Sequence, residues 1–373
     1  MKNLFHLFTY VCLVLVLLAC KQEDEEVMPE VVATDQWQLD ERFLFDRKAQ
    51  YNTYLDTERN ALYFMGSRYF SKISMEEGEE GISSFIPGLF HPLDARMPIS
   101  SNIFTTGDGG RVRFIPTEDP ISNFTFSLDL EEFIPNYGSF NFPHYLTSEA
   151  ILINSKNECL IPYYIKEDNL LINSNLLKVD LTVERLGARD VAIDTVKTQI
   201  IELPYEFSNS IITMQLLDDN FYVTTGSMGT YKVKDSGELT KVLDERLYRI
   251  FKVDGQIFGF GWQEMYTSSD GLSWTKIADI DPVFQSINMV EIEGRTIGHR
   301  TDQIFLFTIE DNTLSIVELT NEGLEGNQIT SVAAFNGKVY VTTLSGVFTK
   351  SIEDFFTEKA VDEEENEVSL SLP

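Results

Sequence analysis

Short apolar runs separated by turn residues fill the 373-residue chain, and helical periodicity is nearly absent. Four of these runs fold back on a partner across a tight turn. Residues 212–216 turn at Asp218-Asp219-Asn220 into 221–225, and residues 248–253 turn at Asp254-Gly255 into 256–259. Residues 288–292 turn at Glu293-Gly294 into 295–297, and residues 332–335 at Asn336-Gly337 into 338–341. Runs of this length, rich in β-branched and aromatic residues, read as strands. Asp-Gly and Asn-Gly suit type I′ hairpins, whose two central residues both need positive φ.

The turns recur near positions 219, 254, 293 and 336. A second series at Asp235-Ser236-Gly237, Asp270-Gly271 and Asp311-Asn312 keeps step with them. One unit is therefore four short strands in about 40 residues, the blade of a β-propeller. A single blade cannot bury both of its faces, so radial stacking must supply the core and protect the edges. The N-terminal half is less regular. A hairpin is expected at 61–66 after the turn at 57–60, further strands at 102–106 and 151–153, and an insertion or lengthened outer strand at 184–200. Fitting the period into residues 36–360 favours seven blades and admits six. Residues 37–45 are expected to complete the last blade, so that N-terminal chain closes the ring. Two β-sandwich domains are the competing architecture, disfavoured because no linker-like stretch follows residue 35.

The first 35 residues follow another pattern. Lys2 is followed by a run over residues 4–19 without any acid, shorter than the ~20 residues a spanning helix needs. A charged start, a short apolar stretch and a small residue before a cut match a secretory leader. The end of the run, Leu17-Leu18-Ala19-Cys20, resembles the lipobox of bacterial lipoproteins. That resemblance implies removal of residues 1–19 and lipidation of Cys20, with the acyl chains as the membrane anchor. Glu23-Asp24-Glu25-Glu26 cannot pack a core, so residues 20–35 read as a solvated acidic tether. The tether resembles the surface-export tag of Bacteroidota lipoproteins, which implies an outer-membrane anchor with the domain, residues 36–373, facing the cell exterior.

Charge narrows the partners. With 59 acidic against 29 basic residues and a formal net charge of −30, the chain repels phosphate backbones, and nucleic acid is not an expected partner. Cys12 lies in the leader and Cys20 at the anchor, so Cys159 is left without an intramolecular disulfide partner and is expected to pack in a strand.

Candidate chemistry is sparse. Ser268-Ser269-Asp270-Gly271-Leu272-Ser273-Trp274 resembles an Asp-box, or BNR repeat. The resemblance implies a structural turn between the third and fourth blade strands, with Ser268, Asp270, Gly271 and Trp274 as its motif residues. Asp270 would accept backbone hydrogen bonds and Trp274 would pack beneath the turn. Asp-boxes occur in sialidases and equally in non-enzymatic propellers. Arg113-Phe114-Ile115-Pro116 reverses the first two residues of the sialidase Phe-Arg-Ile-Pro motif, which moves the arginine to the other strand face. No catalytic residue is assigned. His91, His144 and His299 lack zinc-ligand spacing, the Thr106-Gly107-Asp108-Gly109-Gly110 turn departs from an EF-hand loop, and no phosphate loop or nucleophile elbow occurs. No metal or cofactor is expected. Tyr222, Trp262 and Tyr266 could stack on sugars, although their positions in repeat hairpins favour core packing. The expected function is that of a non-catalytic, surface-tethered propeller presenting a binding surface to a glycan or protein. The competing class is a secreted glycan-active enzyme, a sialidase-like hydrolase or a lyase. The two differ in whether acids and arginines converge at one mouth of the central channel.

Overall fold

A computed structural model describes residues 36–372 except 44–49, 58, 67–69, 77–78, 86–98, 101–102, 109, 117–125, 141–150, 169, 186–190, 205–209, 227–228 and 360–366. The expected leader, Cys20, the expected acidic tether, His91 and His144 lie outside the described residues. The described strands form seven antiparallel sheets, five of four strands and two of five. Sequence reasoning left six or seven blades open; these sheets are numbered here as blades 1 to 7.

Blade 1 comprises Gln50–Asp56, Ala61–Gly66, Phe70–Glu76 and Glu79–Phe85, and blade 2 Ile99–Ser100, Ile103–Asp108, Arg111–Pro116 and Phe126–Asp129. Blade 3 holds Leu152–Ile153 and Tyr137–Phe140 beside the long strands Glu158–Glu167, Leu170–Arg185 and Val191–Ile201. Blade 4 runs through Ile211–Leu217, Asn220–Thr225, Gly229–Val233 and Leu239–Leu243. Arg249–Val253, Gln256–Phe260, Glu264–Ser268 and Thr275–Asp279 make blade 5. Blade 6 is Asn288–Ile292, Arg295–Arg300, Gln303–Glu310 and Thr313–Glu318, with Glu367–Ser371 added outside. Blade 7 takes Ile329–Phe335, Lys338–Thr343 and Val347–Ser351 from the C-terminal region.

The fourth strand of blade 7 is N-terminal. Gln38–Leu39 pairs antiparallel with Val347–Ser351, Gln38 opposite Thr349 and Leu39 opposite Phe348. Trp37 is buried beside this strand, edge-on to Phe355 at 5.9 Å. The expected closure by residues 37–45 thus rests on a two-residue strand and the short helical turn Glu41–Phe43. The expected insertion at 184–200 is a lengthening of two strands into one long hairpin, with Leu176 opposite Ile201 and Arg185 opposite Val191.

Turn chemistry sets the hairpins. Asp254 and Gly255 have φ of 48° and 81°, and Asn336 and Gly337 have 49° and 72°, the left-handed pair a type I′ turn requires. Space does not demand these glycines, since a Cβ on Gly255 or Gly337 would meet nothing within 4 Å. Their role is conformational.

Apolar clusters join each blade to the next and close the circle. One cluster spans blades 1 to 3 through Tyr63, Phe114, Ile161 and Leu177. Leu160, Met214 and Phe221 join blade 3 to blade 4, and Tyr222 and Val242 join blade 4 to Ile250 and Ile257 of blade 5. Phe251, Phe258 and Phe260 pack on Phe307 and Ile316 between blades 5 and 6. Ile297 and Leu306 pack on Val332 and Val341 between blades 6 and 7. Leu62 and Phe64 of blade 1 meet Ala333 and Tyr340 of blade 7, with Phe43 between them. Cys159 is buried in blade 3 and makes no disulfide, and burial pushes its thiol pKa up. Its place is that of a small apolar side chain.

Candidate functional site at the propeller axis

The innermost strands leave a cavity of about 880 Å³. Blades 1, 3, 4, 5, 6 and 7 supply described lining residues, among them Thr53, Ile153, Met214, Ile250, Val290 and Val332. The volume falls within the roughly 300–1,000 Å³ of small-ligand sites.

Register brings a cationic group to one end. Arg249 opens the inner strand of blade 5. Asn288 opens the inner strand of blade 6 and lies opposite His299, and Arg300 ends the second strand of that blade. Arg249, Asn288, His299 and Arg300 all line the cavity. The Arg249 Nη2 donates to Asn288 Oδ1 at 3.3 Å. Arg300 Nε donates to Ser286 Oγ at 3.1 Å, and that hydroxyl donates to the Val283 carbonyl at 2.9 Å. The guanidinium is thus held by a hydroxyl rather than by a carboxylate. Among the described lining residues Glu291 is the one acid. It lies three positions along the inner strand from Asn288, about 10 Å at the usual rise per residue.

His299 is 3% exposed, and its Nδ1 has no hydrogen-bond partner. Burial, and after it the charge of Arg249, push the imidazole pKa down to about 3, so the ring is neutral at physiological pH. The neighbouring walls are polar and satisfied. Gln215 Oε1 accepts from the Ile250 amide at 2.5 Å and its Nε2 donates to the Leu247 carbonyl at 3.4 Å, tying blade 4 to blade 5. The hydroxyls of Thr53 and Ser331 lie 2.6 Å apart across blades 1 and 7.

The three aromatic residues singled out from sequence part company. Tyr222 and Tyr266 are 2% and 6% exposed, and burial raises both hydroxyl pKa values to about 12. Both belong to the core, the favoured sequence reading. Trp262 is 51% exposed. It follows the second strand of blade 5, and its ring lies 6.1 Å from that of Tyr248. Tyr248 directly precedes Arg249 in the chain, but neither Tyr248 nor Trp262 is among the described residues that line the cavity.

The turn at 268–274 lies elsewhere in blade 5. Asp270 Oδ1 accepts from the amides of Leu272 and Ser273 at 2.8 Å each, which lowers the carboxylate pKa. Ser268 Oγ accepts from the amide of Gly271 at 2.9 Å. Gly271 has φ of 68°, and a Cβ there would fall 2.1 Å from Tyr222 Oη of blade 4. Trp274 packs against the cluster shared by blades 4 and 5. The four residues therefore form one turn, and none of them lines the axial cavity. In blade 2, Phe114 is buried and Arg113 is half-buried, as strand alternation demands. Among the described residues, no three His, Cys, Asp or Glu side chains are grouped as a metal site would require.

Sequence reasoning named His299 only as a histidine without zinc spacing and did not single out Arg249, Arg300 or Gln215. The available signal was register. A hairpin turn at Glu293-Gly294 puts Asn288 opposite His299, so a basic residue after His299 must fall at the same end as the start of the inner strand.

No family model matches the chain, and no curated protein sequence matches it. Solved structures do resemble it. A catalytically inactive variant of virginiamycin B lyase from Staphylococcus aureus, crystallised with quinupristin, has a TM-score of 0.53 at 11% identity, over 84% of this chain and 97% of that one. The extracellular domain of a putative one-component system from B. thetaiotaomicron gives 0.48 at 9% identity, over 84% of this chain and 40% of that one. BamB from Moraxella catarrhalis gives 0.40 at 11% identity, over 86% of each chain. Likeness to the lyase variant, at 11% identity, bears on the fold alone, and with the seven stacked sheets the fold is a β-propeller.

Proposed function

We propose that the chain is a non-catalytic, surface-tethered propeller lipoprotein whose axial cavity binds a glycan. The observation that carries this reading is the axial cavity of about 880 Å³, lined with amides, hydroxyls and arginines, together with the exposed indole of Trp262 on blade 5. Aromatic faces with nearby hydrogen-bonding groups suit the apolar face and hydroxyl rim of a sugar. The balance of charges favours binding over hydrolysis. Glycoside hydrolysis requires two carboxyl groups facing one bond, whereas the described lining holds Glu291 as its one acid, away from the arginines. The Asp270 turn is assigned the structural role of an Asp-box, since its carboxylate is occupied by backbone amides.

The anchor belongs to the same proposal. Cys20 carries the lipid, residues 20–35 are the tether, and the protein sits on the outer face of the outer membrane. Cys20→Ala should leave an unprocessed precursor that takes up no radiolabelled palmitate; label in that variant would remove the anchor. External protease should cleave the wild-type protein on intact cells, and replacing Glu23, Asp24, Glu25 and Glu26 with alanine should shelter it. The glycan reading is tested by screening the purified lipoprotein against a glycan panel, with Trp262→Ala in parallel. Binding that Trp262→Ala weakens at an unchanged melting temperature is the expected result. Panel-wide silence, or turnover of a bound glycan, would overturn it.

A further inference from the structure

The axial cavity has two unlike ends. Its inner strands begin at the end that holds Arg249 and Asn288 and finish at a tight turn. The next-to-last residue of the inner strand is Leu55 in blade 1, Leu216 in blade 4, Glu291 in blade 6 and Ala334 in blade 7. These lie opposite Leu62, Phe221, Thr296 and Val339 of the second strands. Equivalent register puts the four at one level, and all of them line the cavity. Met214, Met289 and Val332, two positions earlier in their strands, line it as well. The other end is polar. Asn288, His299, Arg300, Thr301 and Thr330 line it, with Arg249 bonded to Asn288 and Arg300 oriented by Ser286.

Exposure singles out the turn end. Among the described residues eight large apolar side chains are exposed, and three of them, Leu55, Leu216 and Leu344, line this one cavity. Exposed leucines scattered singly need no explanation. Leu55 and Leu216, 40% and 36% exposed, instead share one level, with Met214, Met289 and Val332 in the walls behind them. Leu344 is the exception at the polar end, since it follows Thr343, the partner of Ile329 at the start of its blade. Apolar surface left wet inside a concave site is surface that a ligand can take out of water. Sugar hydroxyls placed against the leucines would give up bonds to water and find none in return. A sugar therefore belongs at the polar end, and the leucines need a different chemical group.

We infer that the axial cavity takes an amphiphilic glycoconjugate, with its sugar at the arginine end and an uncharged apolar substituent among Leu55, Leu216 and Ala334. The inference rests on the glycan reading above and adds the chemistry of what the sugar is attached to. Glu291 stands at the level of the leucines, and the chain carries a formal net charge of −30. Both repel a chain that ends in a carboxylate. An aryl or alkyl group meets no such opposition.

The test uses the lipoprotein in detergent micelles, with empty micelles as the blank, and equilibrium dialysis. The probes are the methyl and 4-nitrophenyl glycosides of glucose, galactose, mannose and N-acetylglucosamine, and 4-nitroanisole, which carries the ring without the sugar. For each sugar that binds, the nitrophenyl glycoside should bind at least about tenfold more tightly than the methyl glycoside. That ratio needs only about 55 Å² of apolar surface removed from water. Leu55→Asn with Leu216→Asn should erase the preference, and Arg300→Gln should weaken both glycosides in proportion and keep their ratio. Should the double variant fail to fold, Leu216→Asn alone should still cut the preference severalfold. Equal affinity for methyl and nitrophenyl glycosides would overturn the apolar end while leaving the glycan reading intact, and so would a preference that survives the substitutions. If 4-nitroanisole bound as tightly as the glycosides, the apolar end would stand and the glycan reading would fall. Silence of every probe would overturn the apolar end whatever the glycan panel shows, and a silent panel besides would remove both.

Discussion

In blade 5 every strand is five residues long, and its core face is aromatic: Phe251, Phe258 and Phe260 are all buried. In blade 3 three strands run to 10, 16 and 11 residues, and buried polar side chains accompany the apolar ones. Asn154, Asn173, Ser174, Asn175 and Lys178 are all buried there. Lys178 is 4% exposed and donates to Glu158 Oε1 at 2.6 Å and to the Asp235 carbonyl of the next blade at 2.8 Å. Asn154 donates to the other Glu158 oxygen at 2.6 Å. The short blade is held by burial and turn chemistry, which tolerate small losses in proportion. The long blade depends on partners, and a buried charge that loses its partner keeps its full desolvation cost.

That contrast orders the effects of substitution. Lys178→Met should be the most damaging, at about 3–5 kcal/mol, because it strands Glu158 beside an apolar group; chemical denaturation measures it, and a loss under 1 kcal/mol would mean that water already reaches the pair. Trp274→Ala, on the half-buried face of blade 5, should cost about 2–3 kcal/mol, below the full price of a buried indole. Asp270→Ala should lower the melting temperature without touching ligand binding, because its bonds end within its own turn.

Acid should separate the regions by window. The His299 pKa is depressed when folded, so its contribution is complete above the ordinary value of 6.5 and is lost as pH falls from there toward 3. The slope is at most about 1.4 kcal/mol per pH unit. Glu158 has a lowered pKa in spite of its burial, through the hydrogen bonds of Lys178 and Asn154. Its contribution holds above 4.5 and fades below that. Stability of the wild type relative to His299→Gln should therefore decline from pH 6.5 downward; a flat difference between pH 7 and 4 would show that the imidazole is hydrated. Gly255→Ala should do least, about 1 kcal/mol, since only its positive φ opposes a side chain. Gly271→Ala has the same conformational cost and in addition collides with Tyr222. A Gly271 variant no worse than the Gly255 variant would dissolve the distinction.

Blades 4 to 7 were legible in the sequence because Asp254-Gly255, Glu293-Gly294 and Asn336-Gly337 mark a local event, a tight turn, that needs no knowledge of the rest of the chain. Blade 3 was half legible. Its long hairpin showed as a lengthened or inserted segment around 184–200, but nothing local declares that Lys178 meets a carboxylate 20 positions away. The axial site was the least legible. Arg249 and Arg300 belong to different blades, and each looks like an ordinary strand-end residue until register sets His299 opposite Asn288. Trp262 was named among three aromatic candidates, and exposure alone separated it from Tyr222 and Tyr266.

The two-residue strand Gln38–Leu39, which completes blade 7, also sets the order in which the molecule can assemble. Its partners at Phe348 and Thr349 follow it by almost the whole domain, so no nascent chain can possess a closed ring before they are made. Pairing across such a separation carries a large loop-closure entropy and forms late in folding. Until then Val347–Ser351 presents an unpaired edge, the kind of template that invites strand addition from another chain. A protein truncated before residue 347 should consequently expose that hazard permanently, on the neighbouring edge of Lys338–Thr343, and should be found in aggregates or degraded. The same strand makes the N-terminal end of the domain a timer: maturation to a protease-resistant form should wait for the C-terminal residues, whatever the rate at which the individual blades fold.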